Sequence, residues 1–175
     1  MTSAASLSRQ LGFARPTAWQ RAVQRMAATR PAAWLLAHVL HRIDGRLLRW
    51  SHGRHSATHA LTGLPLVRLT TTGARTGRPR TVPLLAHPHG EEVFLVASRF
   101  GSPKHPAWYH NLLHHPAAVL ALDERSVAVQ AREAQGEEYH VCWEKAVALY
   151  AGYAAYRNRA AGRHIPILLL SPIAS

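Results

Sequence analysis

The chain has 175 residues, which suits one domain, and its 47% of hydrophobic residues excludes wholesale disorder. Its one cysteine, Cys142, excludes a disulfide framework within the chain and a cysteine-rich zinc site. The net charge of +12 favours anionic partners, which include nucleic acid, a lipid surface and a phosphorylated ligand.

The basic charge is concentrated at the N-terminal end. Residues 1–55 contain nine arginines and one acid, Asp44, and so carry +8 of the net charge. The remainder of the chain is mildly basic and contains no motif that reads nucleic acid. Nucleic acid is therefore not expected as a partner, and a non-catalytic basic module that binds nucleic acid or a membrane is kept as an alternative.

The N-terminal third is predicted to be helical. The pattern predicts one helix over residues 18–28 and a second over residues 31–50, with a row of arginines along one face of the second. No uncharged stretch here approaches the ~20 residues that cross a membrane as a helix. Residues 1–58 are thus expected to form a basic helical segment, which either attaches peripherally to anionic lipid or packs on the body with solvated arginines.

The body, residues 59–175, is predicted to be mainly β. Short runs of branched and apolar residues predict strands, at residues 64–72, 79–87, 92–98, 117–122, 125–132 and 164–170. Helices are predicted at residues 106–114 and 136–150. Turn signals at residues 73–78, 88–90 and 123–124 favour antiparallel pairing and a small closed or split β-barrel. The apolar run at residues 164–170 indicates an interior strand.

A basic turn follows the first predicted strand. Residues 73–78 read GARTGR, and Arg80 lies just beyond them. Glycine allows close approach to a ligand, turn amides can hold an anion, and arginine can bind phosphate through two hydrogen bonds. The turn is neither a Walker loop nor a GxGxxG motif. It predicts either a phosphate-binding turn or a solvated hairpin tip.

The strand at residues 92–98 ends in a polar loop that leads into a helix. Ser98 and Arg99 lie at its start, and Trp108 and Tyr109 lie at the start of the helix. Helix N-termini offer free amides and positive potential, and the two rings could pack beside a flat heterocycle. The alternative is a loop anchored in the core by Trp108.

Three tyrosines are candidates for lining a pocket, and two histidines are candidates for binding a metal. Tyr150, Tyr153 and Tyr156 stand three apart, so on a helix they stay on one side and either line a proton-donating pocket or simply pack. His110 and His114 are one helical turn apart, but no HExxH motif or neighbouring carboxylate accompanies them. No metal site is predicted.

Three stretches together resemble the deazaflavin-dependent nitroreductase family, which includes F420H2-dependent quinone reductases. They are LTTTGARTGRPRTVPLL, VFLVASRFGSPKHPAWYHNL, and ALYAGYAAYRNR followed by HIPILLL, in order over residues 64–170. The resemblance implies a split β-barrel with N-terminal helices, similar to barrels that bind flavin mononucleotide (FMN). It also implies coenzyme F420, an 8-hydroxy-5-deazaflavin, and hydride transfer to a quinone, an enone or a nitroaromatic compound.

The resemblance also implies roles for individual residues. Arg75, Thr76 and Arg80 would hold the phosphate and anionic tail of the coenzyme, with Arg78 assisting. Three further segments would contact the coenzyme: Val82, Pro83 and Leu84; Val96, Ala97, Ser98 and Arg99; and Ala107, Trp108, Tyr109, His110 and Asn111. Tyr150, Tyr153 and Tyr156 would line the acceptor pocket, with Tyr153 nearest the coenzyme. The candidate catalytic donors are Ser98 and these tyrosines.

Three positions depart from the family pattern. Ala74 stands where a basic residue is frequent, Leu85 where a tyrosine can form part of the pocket, and Phe100 where a small residue is found. A quinone or enone is therefore a better expectation than a nitro compound. The alternative cofactor is FMN on the same barrel. We expect a cytoplasmic monomer or homodimer that binds a quinone-like acceptor. Of the two alternatives for the N-terminal helices, lipid attachment would add a peripheral location on the inner face of the membrane, and packing on the body would not.

Overall fold

The computed structural model describes residues 6–13, 65–150, 152–160 and 162–173. The two predicted N-terminal helices and the predicted boundary after residue 58 lie outside these residues. The described helices are α1 (Leu7–Gln10), α2 (Ala107–His114), α3 (Gly136–Leu149) and α4 (Gly152–Arg159), with a 3-10 turn at Arg99–Gly101. The strands are β1 (Leu66–Thr72), β2 (Pro79–Leu85), β3 (His87–His89), β4 (Glu92–Val96), β5 (Ala117–Leu122), β6 (Arg125–Glu133) and β7 (Ile167–Pro172).

The strands form one curled antiparallel sheet. Their order is β2-β1-β5-β6-β7-β4-β3, and every neighbouring pair is antiparallel. The two outermost strands, β2 and β3, are separated in the chain by Ala86 alone, so the sheet must curl until its ends approach each other. The predicted fold class, a mainly β split barrel with helices, is confirmed.

Two strand predictions need correction. The turn expected at residues 88–90 lies at Gly90 and Glu91, and Pro88 belongs to β3, paired with Val93. Proline fits there because β3 is an edge strand, where a missing N–H breaks no ladder. The last strand begins at Ile167 instead of residue 164, since Pro166 cannot donate to a neighbouring strand.

The core has two layers, one on each face of β4 and β7. Leu95 and Leu168 belong to the layer inside the curled sheet, whereas Phe94 and Leu169 face helices α3 and α4. Adjacent residues of a strand point to opposite faces, so both faces of these strands are buried. This explains why β7 is apolar throughout, and its predicted interior position is confirmed.

Helices α3 and α1 both pack on the sheet, and the sequence predicted only α3. The buried side of α3 carries Tyr139, Cys142, Trp143 and Ala146, a helical spacing that resolves the ambiguity over its packed face. The short helix α1 was not predicted, and its Leu7 side chain is fully buried inside the curled sheet. No helix in the described ranges is both long and apolar enough to cross a membrane.

Candidate active site

The basic turn closes tightly on itself between β1 and β2. The amide of Gly73 donates to the carbonyl of Arg78 at 2.9 Å, and the amide of Gly77 donates to the carbonyl of Gly73 at 2.8 Å. A Cβ at Gly73 would lie 3.0 Å from both the Arg78 carbonyl and the Thr76 hydroxyl. Gly77 has φ +63°, which glycine adopts without strain. The two glycines therefore set the shape of the turn.

The turn presents its arginines to solvent. Arg75, Arg78 and Arg80 are all exposed, as is Thr76. None of the three guanidinium groups is bonded to another residue within the described ranges, and no carboxylate there neutralises them. Their charge is therefore available to an anionic ligand, as the phosphate-binding interpretation of the turn requires.

A buried asparagine fastens this turn to helix α2. The Asn111 side-chain oxygen accepts from the amide of Ala74 at 3.0 Å, and its nitrogen donates to the Thr71 hydroxyl at 2.9 Å. Both Asn111 and Thr71 are buried. Because a buried amide without partners is costly, these bonds hold the turn in a defined place. Asn111 thus belongs to the site by positioning the basic turn.

The loop after β4 has a strained backbone. Arg99 and Phe100 have φ of 45° and 56°, in the left-handed region that non-glycine residues adopt at a cost of about 1 kcal/mol or more. Gly101 follows with φ 78°, and a Cβ on it would lie 2.8 Å from the Tyr156 carbonyl. The loop is therefore pressed against α4, and glycine is required at that contact.

One arginine holds the same loop in place. The Arg163 guanidinium donates to the carbonyls of Ser98 at 3.0 Å and Ser102 at 2.9 Å, and to Nδ1 of His105 at 2.9 Å. Partial burial, and then the charge of Arg99, lower the pKa of Arg163 from its ordinary value. Burial and the Arg163 charge also lower the pKa of His105, which favours the neutral ring that accepts this hydrogen bond.

A small cavity lies between this loop, β2 and α4. Its volume is about 110 Å³. Its lining is mostly apolar and aromatic and consists of Leu66, Pro83, Leu84, Leu85, Val96, Ser98, Phe100, Tyr150, Tyr153 and Tyr156. The structure thus brings together seven of the residues proposed from the sequence for the ring and acceptor regions, and the tyrosines form one wall. The seven are Pro83, Leu84, Val96, Ser98, Tyr150, Tyr153 and Tyr156. Leu85 and Phe100, two of the family departures, also line it.

The three tyrosines are buried and hydrogen-bonded in pairs. The hydroxyls of Tyr150 and Tyr156 are 2.9 Å apart, and that of Tyr153 lies 3.2 Å from Nε2 of His87. Burial, and then the neighbouring Tyr150, raise the pKa of both Tyr153 and Tyr156. These phenols consequently stay protonated at neutral pH, so the cavity wall can donate hydrogen bonds.

The remaining predicted residues occupy different places. Ala97 and Trp108 are buried in the core, which agrees with Trp108 anchoring the loop. Val82 packs against the same core from β2. The Tyr109 hydroxyl donates to Glu133 at 2.9 Å, and burial followed by this bond raises the pKa of Tyr109 to about 12.

Three further predicted positions lie at the surface. Arg99 is exposed and donates to the carbonyl of His105 at 3.2 Å. Ala107 and His110 are also exposed, on the first turns of α2. These three positions can meet a bound molecule only from the solvent side.

Sequence reasoning missed several residues that shape the site. His87 lies in the wall behind Tyr153, and Arg163 holds the loop from a distant part of the chain. Gly152 is needed because a Cβ there would lie 2.4 Å from the Tyr150 ring. Of these, only the glycine beside the tyrosine row carried a signal that the sequence alone could have given.

Comparisons with known proteins show the family of this chain. Residues 40–172 match the protein family described as F420H(2)-dependent quinone reductase. The F420H(2)-dependent quinone reductase Rv1261c of Mycobacterium tuberculosis is 33% identical over 145 residues, which cover 79% of this chain and 95% of that protein.

Two solved structures are similar to this chain. A structure described as an F420-H2 dependent reductase is 37% identical, with a TM-score of 0.56, and the match covers 61% of this chain and 94% of that one. Another, described as a domain-swapped dimer, is 31% identical with a TM-score of 0.57, over 81% of this chain and 99% of that one.

The fold and the family match define an oxidoreductase built on a split barrel. The chain belongs to the F420H2-dependent quinone reductase family. The predicted family resemblance, the enzyme class and coenzyme F420 as the family's cofactor are thereby confirmed.

Proposed function

We propose that this chain binds reduced coenzyme F420 and reduces a quinone in the tyrosine-lined cavity. The proposal is supported by the positions of the basic turn and the cavity, which lie at opposite ends of β2. The exposed Arg80 lies near its start, and the cavity residues Pro83 and Leu84 lie near its end. At about 3.4 Å per residue, Arg80 and Leu84 are about 14 Å apart along the strand.

This placement fits an elongated cofactor with an anionic end and a flat ring. Arg75, Arg78 and Arg80 would hold the phosphate and tail, with the Thr76 hydroxyl beside them. The cavity, at about 110 Å³, is smaller than the ~300 Å³ of a typical ligand site. It therefore suits a ring-sized group, and the anionic part of the cofactor would lie outside it along the turn.

Coenzyme F420, in its reduced form, supplies the hydride when bound. The chain's residues have other tasks. The apolar walls exclude water from the acceptor, and the buried phenols of Tyr153 and Tyr156 remain protonated and can donate to a carbonyl oxygen. The Ser98 hydroxyl lies in the same wall and offers a further donor. A quinone, which carries its oxygens on a flat apolar ring, suits this lining.

Enones and nitroaromatic compounds remain candidate acceptors. An enone presents one carbonyl oxygen to the same donors, whereas a nitro group presents two oxygens and greater polarity. Because Leu85 and Phe100 make the cavity more apolar, we expect quinones to be reduced fastest, enones next and nitro compounds slowest. Competition between these acceptors in one assay orders them directly.

We also propose that the basic N-terminal segment brings the enzyme to anionic lipid, where lipid-soluble quinones reside, on the cytoplasmic side. Its support is the +8 charge of residues 1–55. Sedimentation of the full chain with vesicles containing phosphatidylglycerol tests it. Binding should be lost when Arg42, Arg46 and Arg49 are changed to glutamate and kept in Arg125→Ala. Equal sedimentation of both variants contradicts it.

Titration with the coenzyme tests the cofactor assignment. The purified chain should bind coenzyme F420 more tightly than FMN, and Arg75→Ala or Arg80→Ala should weaken that binding about tenfold each, the effect of one charged hydrogen bond. Arg125→Ala is the matched control, since Arg125 is an exposed arginine in the β5–β6 hairpin, at the other end of β1. Tight FMN binding without coenzyme F420 binding would support the flavoprotein alternative instead.

A further inference from the structure

We propose that His87 is a positioning residue that turns the Tyr153 hydroxyl toward the cavity. The proposal rests on the function proposed above, since it concerns the acceptor's hydrogen-bond donor. His87 begins β3 and is fully buried. Its Nε2 lies 3.2 Å from the Tyr153 hydroxyl, which is itself buried in the cavity wall.

The histidine ring is held rigidly behind the tyrosine. It stacks on Phe94 with the ring centres 4.7 Å apart and the planes inclined by 10°. Its centre lies 5.7 Å from that of Tyr153, at 57°. The ring is therefore fixed by packing and can offer the phenol one atom only, Nε2.

The protonation state of the ring decides what that atom does. Burial, with a smaller effect of Lys145, lowers the pKa of His87 to about 3, so the ring is neutral. Its Nδ1 is buried and has no hydrogen-bond partner among the described residues. A proton on Nδ1 would leave a buried donor unpaired, whereas a proton on Nε2 leaves only a lone pair unpaired. The favoured tautomer carries its proton on Nε2.

With this tautomer, His87 donates and Tyr153 accepts. The phenol's own proton is then free of His87 and can be donated into the cavity that Tyr153 lines. In the opposite tautomer, the Tyr153 hydroxyl would donate its proton to Nε2. Its oxygen could then only accept a hydrogen bond from a molecule in the cavity. His87 thus determines whether Tyr153 is a donor to a bound carbonyl.

The described residues provide no proton relay through His87. To pass its Nε2 proton to Tyr153, the ring would have to receive another at Nδ1, and that atom has no hydrogen-bond partner among the described residues. His87 therefore orients the hydroxyl without supplying the transferred proton.

Nitrogen NMR of the free protein tests the tautomer without any cofactor. In the chain labelled with 15N-histidine, the His87 signals, identified by their loss in His87→Gln, should show a neutral ring protonated at Nε2. In Tyr153→Phe the Nε2–H proton should shift, because its acceptor is gone. A ring protonated at Nδ1, or at both nitrogens at neutral pH, overturns the proposal.

Kinetics with reduced coenzyme F420 and a soluble quinone test the consequence. His87→Leu should lower kcat/KM for the quinone about tenfold, the value of one buried hydrogen bond, and leave the coenzyme Kd unchanged. The double variant with Tyr153→Phe should lose no more than Tyr153→Phe alone. His87→Gln keeps an N–H donor and should recover part of the rate. His89→Leu, two residues along the same strand, is the matched control.

The outcomes separate the two proposals. Unchanged quinone kinetics in His87→Leu, or losses that multiply in the double variant, overturn the role of His87 while the enzyme's function stands. If the unaltered chain shows no quinone-dependent turnover, the proposed function fails, and the tautomer measurement still decides how His87 and Tyr153 are bonded.

Discussion

The side-chain nitrogen of Asn111 lies 2.9 Å from the Thr71 hydroxyl, and this buried contact joins helix α2 to the end of β1. The oxygen of the same side chain accepts from the amide of Ala74, so both ends of the carboxamide are used. One buried side chain therefore places the whole basic turn relative to the barrel. The affinity of the turn for an anion should therefore depend on a buried residue outside the turn, Asn111.

Asn111→Leu should weaken coenzyme F420 binding about tenfold and destabilise the fold by about 2 kcal/mol, because the Ala74 amide loses its partner. Isothermal titration and urea unfolding measure the two effects. Asn158→Leu, on the exposed face of α4, is the control and should change neither. Unaltered coenzyme affinity in a folded Asn111→Leu protein would show that the hydrogen bonds of Asn111 are not needed to position the turn for binding.

Arg163→Ala should loosen the loop after β4 and raise the KM for the quinone severalfold, since the carbonyls of Ser98 and Ser102 lose their donor. Arg163→Lys should not restore it, because an ammonium group cannot reproduce the spread of guanidinium donors. Arg157→Ala, an exposed arginine whose guanidinium lies over the Trp143 ring, serves as the comparison. Full recovery by lysine would mean that charge alone matters there.

Gly152→Ala should displace the Tyr150 ring, which a Cβ would meet at 2.4 Å. Overpacking of this kind costs about 1–3 kcal/mol. The KM for the quinone should rise while the coenzyme Kd stays the same, because Tyr150 lines the cavity and the basic turn lies elsewhere. Ala154→Ser, on the exposed side of the same helix, should leave both unchanged. An unaltered quinone KM in Gly152→Ala would show that Tyr150 does not shape the acceptor site.

The stability of the fold should fall in mild acid because of His87. Its pKa is about 3 in the folded chain, against an ordinary value of 6.5. Between these values the unfolded chain binds a proton that the folded chain does not, so the free energy of unfolding decreases by up to about 1.4 kcal/mol per pH unit as pH falls. The buried His87 ring faces Tyr153 and Phe94, and the charge of nearby Lys145 adds a smaller lowering of its pKa.

Urea unfolding of the chain and of His87→Leu, between about pH 7 and about pH 5, measures this difference. Over that interval, the free energy of unfolding should fall by about 2 kcal/mol less in the variant than in the unaltered chain. His105, whose pKa is also lowered, contributes in the same direction to both proteins. Parallel pH profiles for the two would show that His87 does not titrate differently on unfolding.

The sequence predicted the parts of the site that are local in the chain. The GARTGR turn and the tyrosines three apart are patterns within short stretches, and each appears in the structure as a coherent feature. The strands followed from alternation and branched residues, so most were placed within two residues. Local chemistry therefore predicted the fold class and the short segments that form the candidate site, while the roles of their residues stay predictions.

The contacts that organise the site were not predictable in this way. Asn111 and Ala74 are 37 positions apart, and Arg163 and Ser98 are 65 apart. His87 sits beside Pro88, which suggested a turn, and only the edge position of β3 makes a strand there possible. Such contacts depend on tertiary packing, for which the chain carries no short pattern.

Oxidation of reduced coenzyme F420 by a soluble quinone, measured without oxygen, decides whether this chain is a quinone reductase. We expect turnover that requires both the chain and the quinone. Arg80→Ala should raise the coenzyme KM, and Tyr153→Phe should lower kcat/KM for the quinone. If the chain binds the coenzyme but no quinone accelerates its oxidation, or if both variants behave as the unaltered chain, the account of this site is wrong.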